Sequence, residues 1–265
     1  MNFKILCSDL DGTLLSTKND VSEFTISQIN RIKHRTRIVL VSARMPKSIT
    51  YLQNPMGIEE HPIIAYNGAL IMEKGEILHS ETIPMANTLA LYEICQEQNI
   101  RFGLYRNDEW LVSETSERVE KEIFNTKANP SFESTVTTLQ RWQTEDLGAH
   151  KIMLMGNKES MDHISSTLER HFSSSMNCYR SNDTLIEIAP KSSSKLKGIQ
   201  SILKTGESLQ DVIAFGDNYN DVEMLRTVGY GVAVANGRNE AKEVANKVTL
   251  TNTEDGVAQF IKDHL

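Results

Sequence analysis

Phe3-Lys4-Ile5-Leu6-Cys7-Ser8-Asp9-Leu10-Asp11-Gly12-Thr13 is the stretch on which the reading of this chain turns. The apolar run at 3–8 predicts a buried strand. Two carboxylates, Asp9 and Asp11, follow where that strand should end, and Gly12 and Thr13 let the backbone turn sharply. Close carboxylates repel one another and lose hydration, so a fold gains nothing from them unpaired. A divalent cation between them and a phosphate makes the arrangement reasonable. A carboxylate oxygen of Asp9 is then available as a nucleophile.

The same rhythm of strand and helix continues outward. Residues 22–34 predict an amphipathic helix with Ser22 as N-cap and Ile29 and Ile32 inward. Residues 37–41 predict a second buried strand, followed by a short helix near Pro46. Residues 62–66 predict a third strand ending at Asn67-Gly68, and a hairpin is expected across Lys74-Gly75. The tail repeats the pattern: a helix at 195–203, strands at 212–215 and 230–234, a strand near 247–250 and a last helix from Gly256. Strands alternating with helices imply a mostly parallel sheet covered on both faces.

The middle reads differently. A helix is expected at 86–98 with Leu89 and Tyr92 on its apolar side and Leu91 as a further candidate there, then a strand pair across Asn107-Asp108. A polar helical stretch is expected over 116–145, a strand at 151–155 and a helix burying Met161, Ile164, Leu168 and Phe172. Two further strands meet at Asn182-Asp183. Paired strands with helices suggest an antiparallel α+β module, bounded near Pro84 and Pro190. The domains expected are therefore 1–83, 84–189 and 190–265, the first and last forming one core.

Composition narrows the function. A chain of 265 residues, 39% hydrophobic and 24% charged, can bury a sizeable core. A formal net charge of −7 argues against a nucleic-acid surface, which needs a basic stripe. The three scattered cysteines, Cys7, Cys95 and Cys178, have no metal spacing and suggest a reducing compartment. No apolar h-region or run of about 18 apolar residues occurs, so a cytoplasmic protein with no membrane span is expected. The seven histidines show no paired ligand spacing.

Four segments carry the chemistry, each at the end of a predicted strand or the start of a helix. They are Asp9 to Thr13, Ser42-Ala43-Arg44, Lys195, and Gly216-Asp217-Asn218-Tyr219-Asn220-Asp221. In an open parallel sheet, ligands bind beyond the carboxyl ends of the strands, so distant residues can meet in one crevice. A phosphate dianion repels an attacking carboxylate, and a cation held by Asp9 and Asp217 reduces that repulsion. Ser42 and Lys195 can donate to the equatorial oxygens, as can backbone N–H groups from Leu10 through Gly12 to Thr13. Asp11 can protonate a departing alkoxide and then deprotonate the water that cleaves an aspartyl-phosphate.

These motifs resemble the haloacid dehalogenase (HAD) superfamily of phosphohydrolases, in its Cof-type branch. The resemblance covers essentially the whole chain. It implies a Rossmann-like, doubly wound α/β core with an inserted α+β cap domain, a Mg²⁺ cofactor and hydrolysis of phosphate monoesters. Asp9 then matches the nucleophile and Asp11 the general acid/base, with a backbone carbonyl for the metal. Asp217 matches the direct metal ligand, with Asn220 and Asp221 in support. Lys195 falls at the phosphate-binding lysine, with Lys197 as its rival because Leu196 and Lys197 intervene before Gly198. Ser42-Ala43-Arg44 stands where the family commonly has Thr-Gly-Arg; serine keeps the hydroxyl, and Arg44 supports the site. Asn67-Gly68-Ala69 and Glu254-Asp255-Gly256 are similar to other recurrent segments, which keeps Asn67 near the site. Asn236-Gly237 is read first as a turn and second as a phosphate-side contact.

The cap should choose the substrate. Arg101, Tyr105, Arg106, Arg180, Asn182 and Asp183 lie at predicted strand ends or turns that could face the crevice. A closing second domain fits a small phosphorylated metabolite, with a hexose phosphate foremost. A sugar phosphomutase of the same superfamily keeps both aspartates and is the main alternative. A sugar-phosphate-binding regulator without turnover is the other.

Overall fold

The apolar run of the opening segment forms β1 (Ile5–Ser8), in a computed structural model that describes residues 3–17 and 19–265. After it come α1 (Glu23–Ile32), β2 (Arg37–Val41), α2 (Lys47–Met56), β3 (Ile63–Ala65), β4 (Leu70–Glu73) and β5 (Glu76–Ser80). The middle supplies α3 (Met85–Glu97), β6 (Arg101–Arg106), β7 (Glu109–Val112), α4 (Glu117–Thr126), β8 (Ser131–Phe132) and α5 (Thr135–Thr144). It continues with β9 (Lys151–Met155), α6 (Lys158–Phe172), β10 (Met176–Asn182) and β11 (Leu185–Pro190). The chain closes with α7 (Lys195–Ser201), β12 (Val212–Gly216), α8 (Val222–Thr227), β13 (Tyr230–Ala233), α9 (Asn239–Val244), β14 (Lys247–Val248) and α10 (Gly256–His264).

These elements divide into two compact units, Met1–His79 with Ser194–Leu265, and Ser80–Ser193. The divisions fall outside Pro84 and Pro190 for a local reason. Ile83 donates its N–H to the carbonyl of Ala149 at 2.8 Å, and the amide of Asn177 donates to the carbonyls of Pro190, Lys191 and Ser193. Both flanking segments are thereby stitched to the middle unit.

In the first unit eight strands run in the order β14-β13-β12-β1-β2-β3-β4-β5. β1 lies parallel to β2 on one side and to β12 on the other, with Ser8 level with Leu40 and Phe215. The order therefore reverses at β1, and a switch point of this kind opens a crevice beyond the strand ends. β4 pairs antiparallel with β3. One sheet face packs Ile5, Cys7, Val39 and Val41 against Ile199, Met224 and Leu225 of α7 and α8. On the other, Ile29 and Ile32 of α1 are fully buried, and Phe215 meets Phe260 of α10 edge-on at 5.4 Å. Ser22 caps α1 by accepting from the Thr25 N–H at 3.0 Å, as its position predicts.

The second unit is a six-stranded sheet in the order β10-β11-β9-β6-β7-β8, antiparallel except for the β7–β8 pair. Phe102, Leu104, Ile152, Leu154, Ile186 and Ile188 pack beneath α3, α5 and α6. The α6 quartet Met161, Ile164, Leu168 and Phe172 is buried as its spacing predicts. One expectation needs correction. The stretch 116–145 is not one helical run: α4 stops at Lys127 in the left-handed region, β8 pairs with β7, and Ser134 caps a separate α5. On α3, Thr88, Leu91 and Cys95 are fully buried, and Leu89 and Tyr92 pack half-buried against the same core, as their placement on the apolar side predicts. Among the described residues no helix is long and apolar enough to cross a membrane.

Candidate active site

Every chemistry-bearing segment of the first unit leaves the sheet at the same edge. Asp9 follows β1 and donates its N–H to the Phe215 carbonyl at 3.0 Å, which fixes it beside the end of β12. Ser42 follows β2, Asn67 follows β3 and Asp217 follows β12. Parallel pairing in register makes this unavoidable, because all four strands finish at one side.

Lys195 is the hub. Its side chain is fully buried at the first turn of α7, and Nζ donates to Asp9 Oδ1 and to Asp221 Oδ1, each at 2.6 Å. Lys197, two residues on, is exposed. The helix explains the difference: Ser194 caps α7 by accepting from the Lys197 N–H, which leaves Lys195 on the inward face. Asp221 is 0% exposed, yet its carboxylate is satisfied. Oδ2 accepts from the N–H groups of Asp217 and Asn218, both at 3.0 Å, so it also shapes the loop that presents Asp217. Asp217 Oδ1 accepts from the Thr13 hydroxyl at 3.0 Å. Gly12 has φ +83°, and a Cβ there would lie 2.7 Å from Asp217 Oδ2. Glycine is thus needed both for the turn and for the approach of Asp217.

Asp9, Asp217 and Asp221 each offer an oxygen within 4.8 Å of the others. One ammonium faces three carboxylates. Burial pushes the Asp9 carboxyl well up, Lys195 pulls it back, and Asp221 and Asp217 push it up again. Burial, then Asp221, lifts Asp217 to about 6 against the pull of Lys195 and Thr13. Burial works against the charge on Lys195, but Asp221 and Asp9 outweigh it and hold its ammonium pKa above the usual range. Asp9 Oδ2 is buried without a hydrogen-bond partner. An all-oxygen set with an orphaned, buried carboxylate oxygen and surplus negative charge fits a hard divalent cation.

Asp11 is placed differently. Its side chain is about half exposed and accepts both bonds of a fork from Arg44, Nε to Oδ2 at 2.8 Å and Nη2 to Oδ1 at 2.6 Å. The guanidinium is only 4% exposed and also reaches the Ser48 carbonyl and the Tyr51 hydroxyl. Arg44 is therefore not a solvated residue. Ser42 is buried, and its Oγ accepts from the Arg44 N–H at 3.1 Å, so the hydroxyl also shapes the turn after β2. Asn67 is buried with φ +55°, and its side-chain oxygen accepts from the Asn220 amide at 3.0 Å. Leu10 is buried beneath the turn. Asn236, read first as a turn residue, donates to the Gly12 carbonyl at 2.8 Å. Asn252, whose amide donates to the Leu15 carbonyl at 2.8 Å, and Tyr51, which accepts from Arg44, carry no motif in the sequence.

The cap candidates lie in the second unit and are held by their own neighbours. Arg101 pairs with Glu114 at 2.9 Å, and Arg106 donates to the Gly148 carbonyl at 2.8 Å. Tyr105 stacks on Trp110 with centroids 5.3 Å apart and is buried. Arg180 pairs with Asp162 at 2.5 Å and Asp183 at 3.6 Å, and Asn182 accepts from the Thr184 N–H. Strand direction puts Arg180, Asn182 and Asp183 at the end of this sheet opposite Arg106.

A switch-point crevice with a buried carboxylate cluster, one lysine and an arginine-held second aspartate defines a hydrolase of phosphoric monoesters. The chain belongs to the haloacid dehalogenase-like hydrolase family, in its Cof-type branch, and the family model matches residues 6–261. It is 28% identical to the 5-amino-6-(5-phospho-D-ribitylamino)uracil phosphatase YitU of Bacillus subtilis, across 98% of this chain and 97% of that one. It is 26% identical to the pyridoxal phosphate phosphatase YbhA of Escherichia coli, across the full length of both. Among solved structures, a haloacid dehalogenase-like hydrolase from Bacteroides thetaiotaomicron superposes over 100% of both chains with a TM-score of 0.89 at 28% identity.

Proposed function

We propose that this chain is a Mg²⁺-dependent phosphatase that hydrolyses a small phosphorylated metabolite, foremost a hexose phosphate, through an aspartyl-phosphate on Asp9. The observation that carries the reading is the Asp9 carboxylate: buried at a parallel-strand end, tied through Oδ1 to Lys195, and with Oδ2 lacking a partner. Asp9, Asp217 and the backbone carbonyl of Asp11 would hold the cation, with Asn220 and Asp221 supporting it. When bound, the cation supplies charge neutralisation between the anionic nucleophile and the phosphate dianion.

The chain's own groups do the rest. An oxygen of Asp9 attacks phosphorus, and the phosphorus–oxygen ester bond breaks. Asp11 gives its proton to the departing alkoxide, then takes one from the water that attacks the acyl phosphate, returning Asp9 and releasing inorganic phosphate. Ser42, Lys195 and the backbone N–H groups of Leu10 to Thr13 bind the equatorial oxygens. The Arg44 fork orients the Asp11 carboxylate, and one of its two bonds is given up when Asp11 carries the proton. The second unit acts as the cap that selects the substrate, with its candidate contacts either at Arg106 or, at the opposite end of its sheet, at Arg180, Asn182 and Asp183. Free thiols at Cys7, Cys95 and Cys178 fit a reducing cytoplasm.

A phosphate-release screen tests the substrate. It covers hexose phosphates, nucleotides, flavin mononucleotide, pyridoxal phosphate and the ribitylaminouracil phosphate of the Bacillus relative. Release from a hexose phosphate with Mg²⁺ and without a bisphosphate activator is expected, lost on chelation. Turnover only with a bisphosphate activator would point to a mutase. Binding without any release would point to a regulator.

A further inference from the structure

Two asparagines outside the proposed machinery are joined to its central turn. Asn236 donates from Nδ2 to the Gly12 carbonyl at 2.8 Å. Its Oδ1 accepts from the backbone N–H of Asn252, also at 2.8 Å. Asn252 in turn donates from its own Nδ2 to the carbonyl of Leu15 at 2.8 Å. The segment between Asp9 and Leu15 is thus gripped at two carbonyls, one in the Gly12–Thr13 peptide itself and one three residues further on, at Leu15. All three bonds have good length.

Both asparagines are themselves held. The turn carrying Asn236 sits against the Asp217 loop: a Cβ at Gly237 would lie 3.0 Å from Asp217 Cα, and Arg238 donates its N–H to the Asp217 carbonyl at 2.8 Å. The loop carrying Asn252 is closed by Thr251 and Glu254, whose side chains and backbone N–H groups bond reciprocally. Asp255 adopts φ +55° and Gly256 meets the Leu250 carbonyl too closely for any side chain. A rigid peptide plane fixes an N–H once its carbonyl is fixed. Pinning the Gly12 carbonyl therefore fixes the peptide that joins Gly12 to Thr13, and with it the path of the backbone on which Asp11 and Thr13 are carried.

We propose that Asn236 and Asn252 are positioning residues that hold the Asp9–Leu15 turn in its working conformation from the C-terminal segment. The inference rests on the phosphatase reading for its kinetic consequence, but the ordering of the turn does not depend on that reading. Neither side chain supports the core, since Asn236 is exposed and Asn252 is half-buried.

The experiment pairs two measurements on the wild-type chain, Asn236→Ala, Asn252→Ala and the double variant. Amide hydrogen exchange over residues 10–15, without substrate, is expected to rise several-fold in each variant while strands β1 and β12 stay protected. Steady-state hydrolysis of p-nitrophenyl phosphate is expected to lose roughly 10- to 100-fold in kcat with KM changed less than twofold, as for misplacement of reacting groups. The double variant should lose less than the product of the single losses, because the two residues act on one turn. Unchanged exchange over 10–15 would overturn the proposal, as would a rise in KM alone, which marks a direct contact with the phosphate. If the wild-type chain releases no phosphate from any substrate, the phosphatase reading fails, and the exchange result still decides the positioning role.

Discussion

Lys195 Nζ stands 2.6 Å from Asp9 Oδ1 and 2.6 Å from Asp221 Oδ1, so one buried ammonium joins the proposed nucleophile to the loop that presents Asp217. Removing one partner of a buried ion pair leaves uncompensated charge and destabilises by about 3–5 kcal/mol. Lys195→Met is expected to lower the thermal midpoint markedly and to abolish turnover. Lys197→Met, on the exposed face two residues on, should do neither. Parallel melting curves and phosphate-release rates for the two variants check this.

The Arg44 fork on Asp11 predicts a dependence on the leaving group. Lysine at position 44 keeps the charge but cannot grip a carboxylate at two points. An alkoxide needs the proton that Asp11 carries, whereas p-nitrophenolate does not. Arg44→Lys should therefore reduce kcat/KM for an alkyl phosphate by roughly tenfold or more, within the range of general acid catalysis, and spare p-nitrophenyl phosphate. Equal losses on both substrates would mark Arg44 as a purely structural support.

Gly12→Ala meets two obstacles, the positive φ and the 2.7 Å approach of Asp217 Oδ2 to the new Cβ. The conformational part alone is worth roughly 1–3 kcal/mol. Because Asp217 must move, the Mg²⁺ concentration giving half-maximal activity should rise. A titration of activity against Mg²⁺ reads this directly.

His150 gives the second unit an acid limit. It is 0% exposed; Nδ1 accepts from the Asn107 N–H at 3.2 Å, which leaves Nε2 to donate to Ser80 Oγ at 2.9 Å. Burial, aided by Arg106, pushes its pKa down to about 4 from 6.5. The unfolded chain therefore binds the extra proton first. The stabilisation is complete above pH 6.5 and falls as the pH drops towards 4, by on the order of 3 kcal/mol in all. Unfolding followed by denaturant at pH 7 and pH 4.5 should show the fall in the wild-type chain and a shallower one in His150→Gln.

The parts of the fold that were legible share one property: their signal is local. The apolar runs at 37–41 and 151–155 became β2 and β9 over those same residues, because a strand buried on both faces has no choice of composition. The α6 quartet was legible because helical spacing holds over three successive steps. The stretch 116–145 was misread because polarity and helix propensity say nothing about β8, which exists only by pairing with β7. Spacing from the strand end at Pro190 favours Lys195 over its rival Lys197, and the structure agrees: Ser194 caps α7 and Lys195 faces inward. The bond from Asn236 to Gly12 joins residues 224 positions apart and leaves no trace in either neighbourhood. The Arg44 fork on Asp11 was hidden for the same reason, since it depends on the register of β1 against β2.

The central claim is that phosphate passes through the side chain of Asp9. Asp11→Asn slows the second step, in which water must be deprotonated, so the phosphorylated chain should accumulate. Rapid acid quench of Asp11→Asn during turnover of an aryl phosphate with Mg²⁺, followed by peptide mass analysis, tests it directly. The account predicts one phosphoryl group on the peptide containing Asp9, absent in Asp9→Asn. Phosphate release with no phosphorylated peptide, or with the group on another residue, would contradict it.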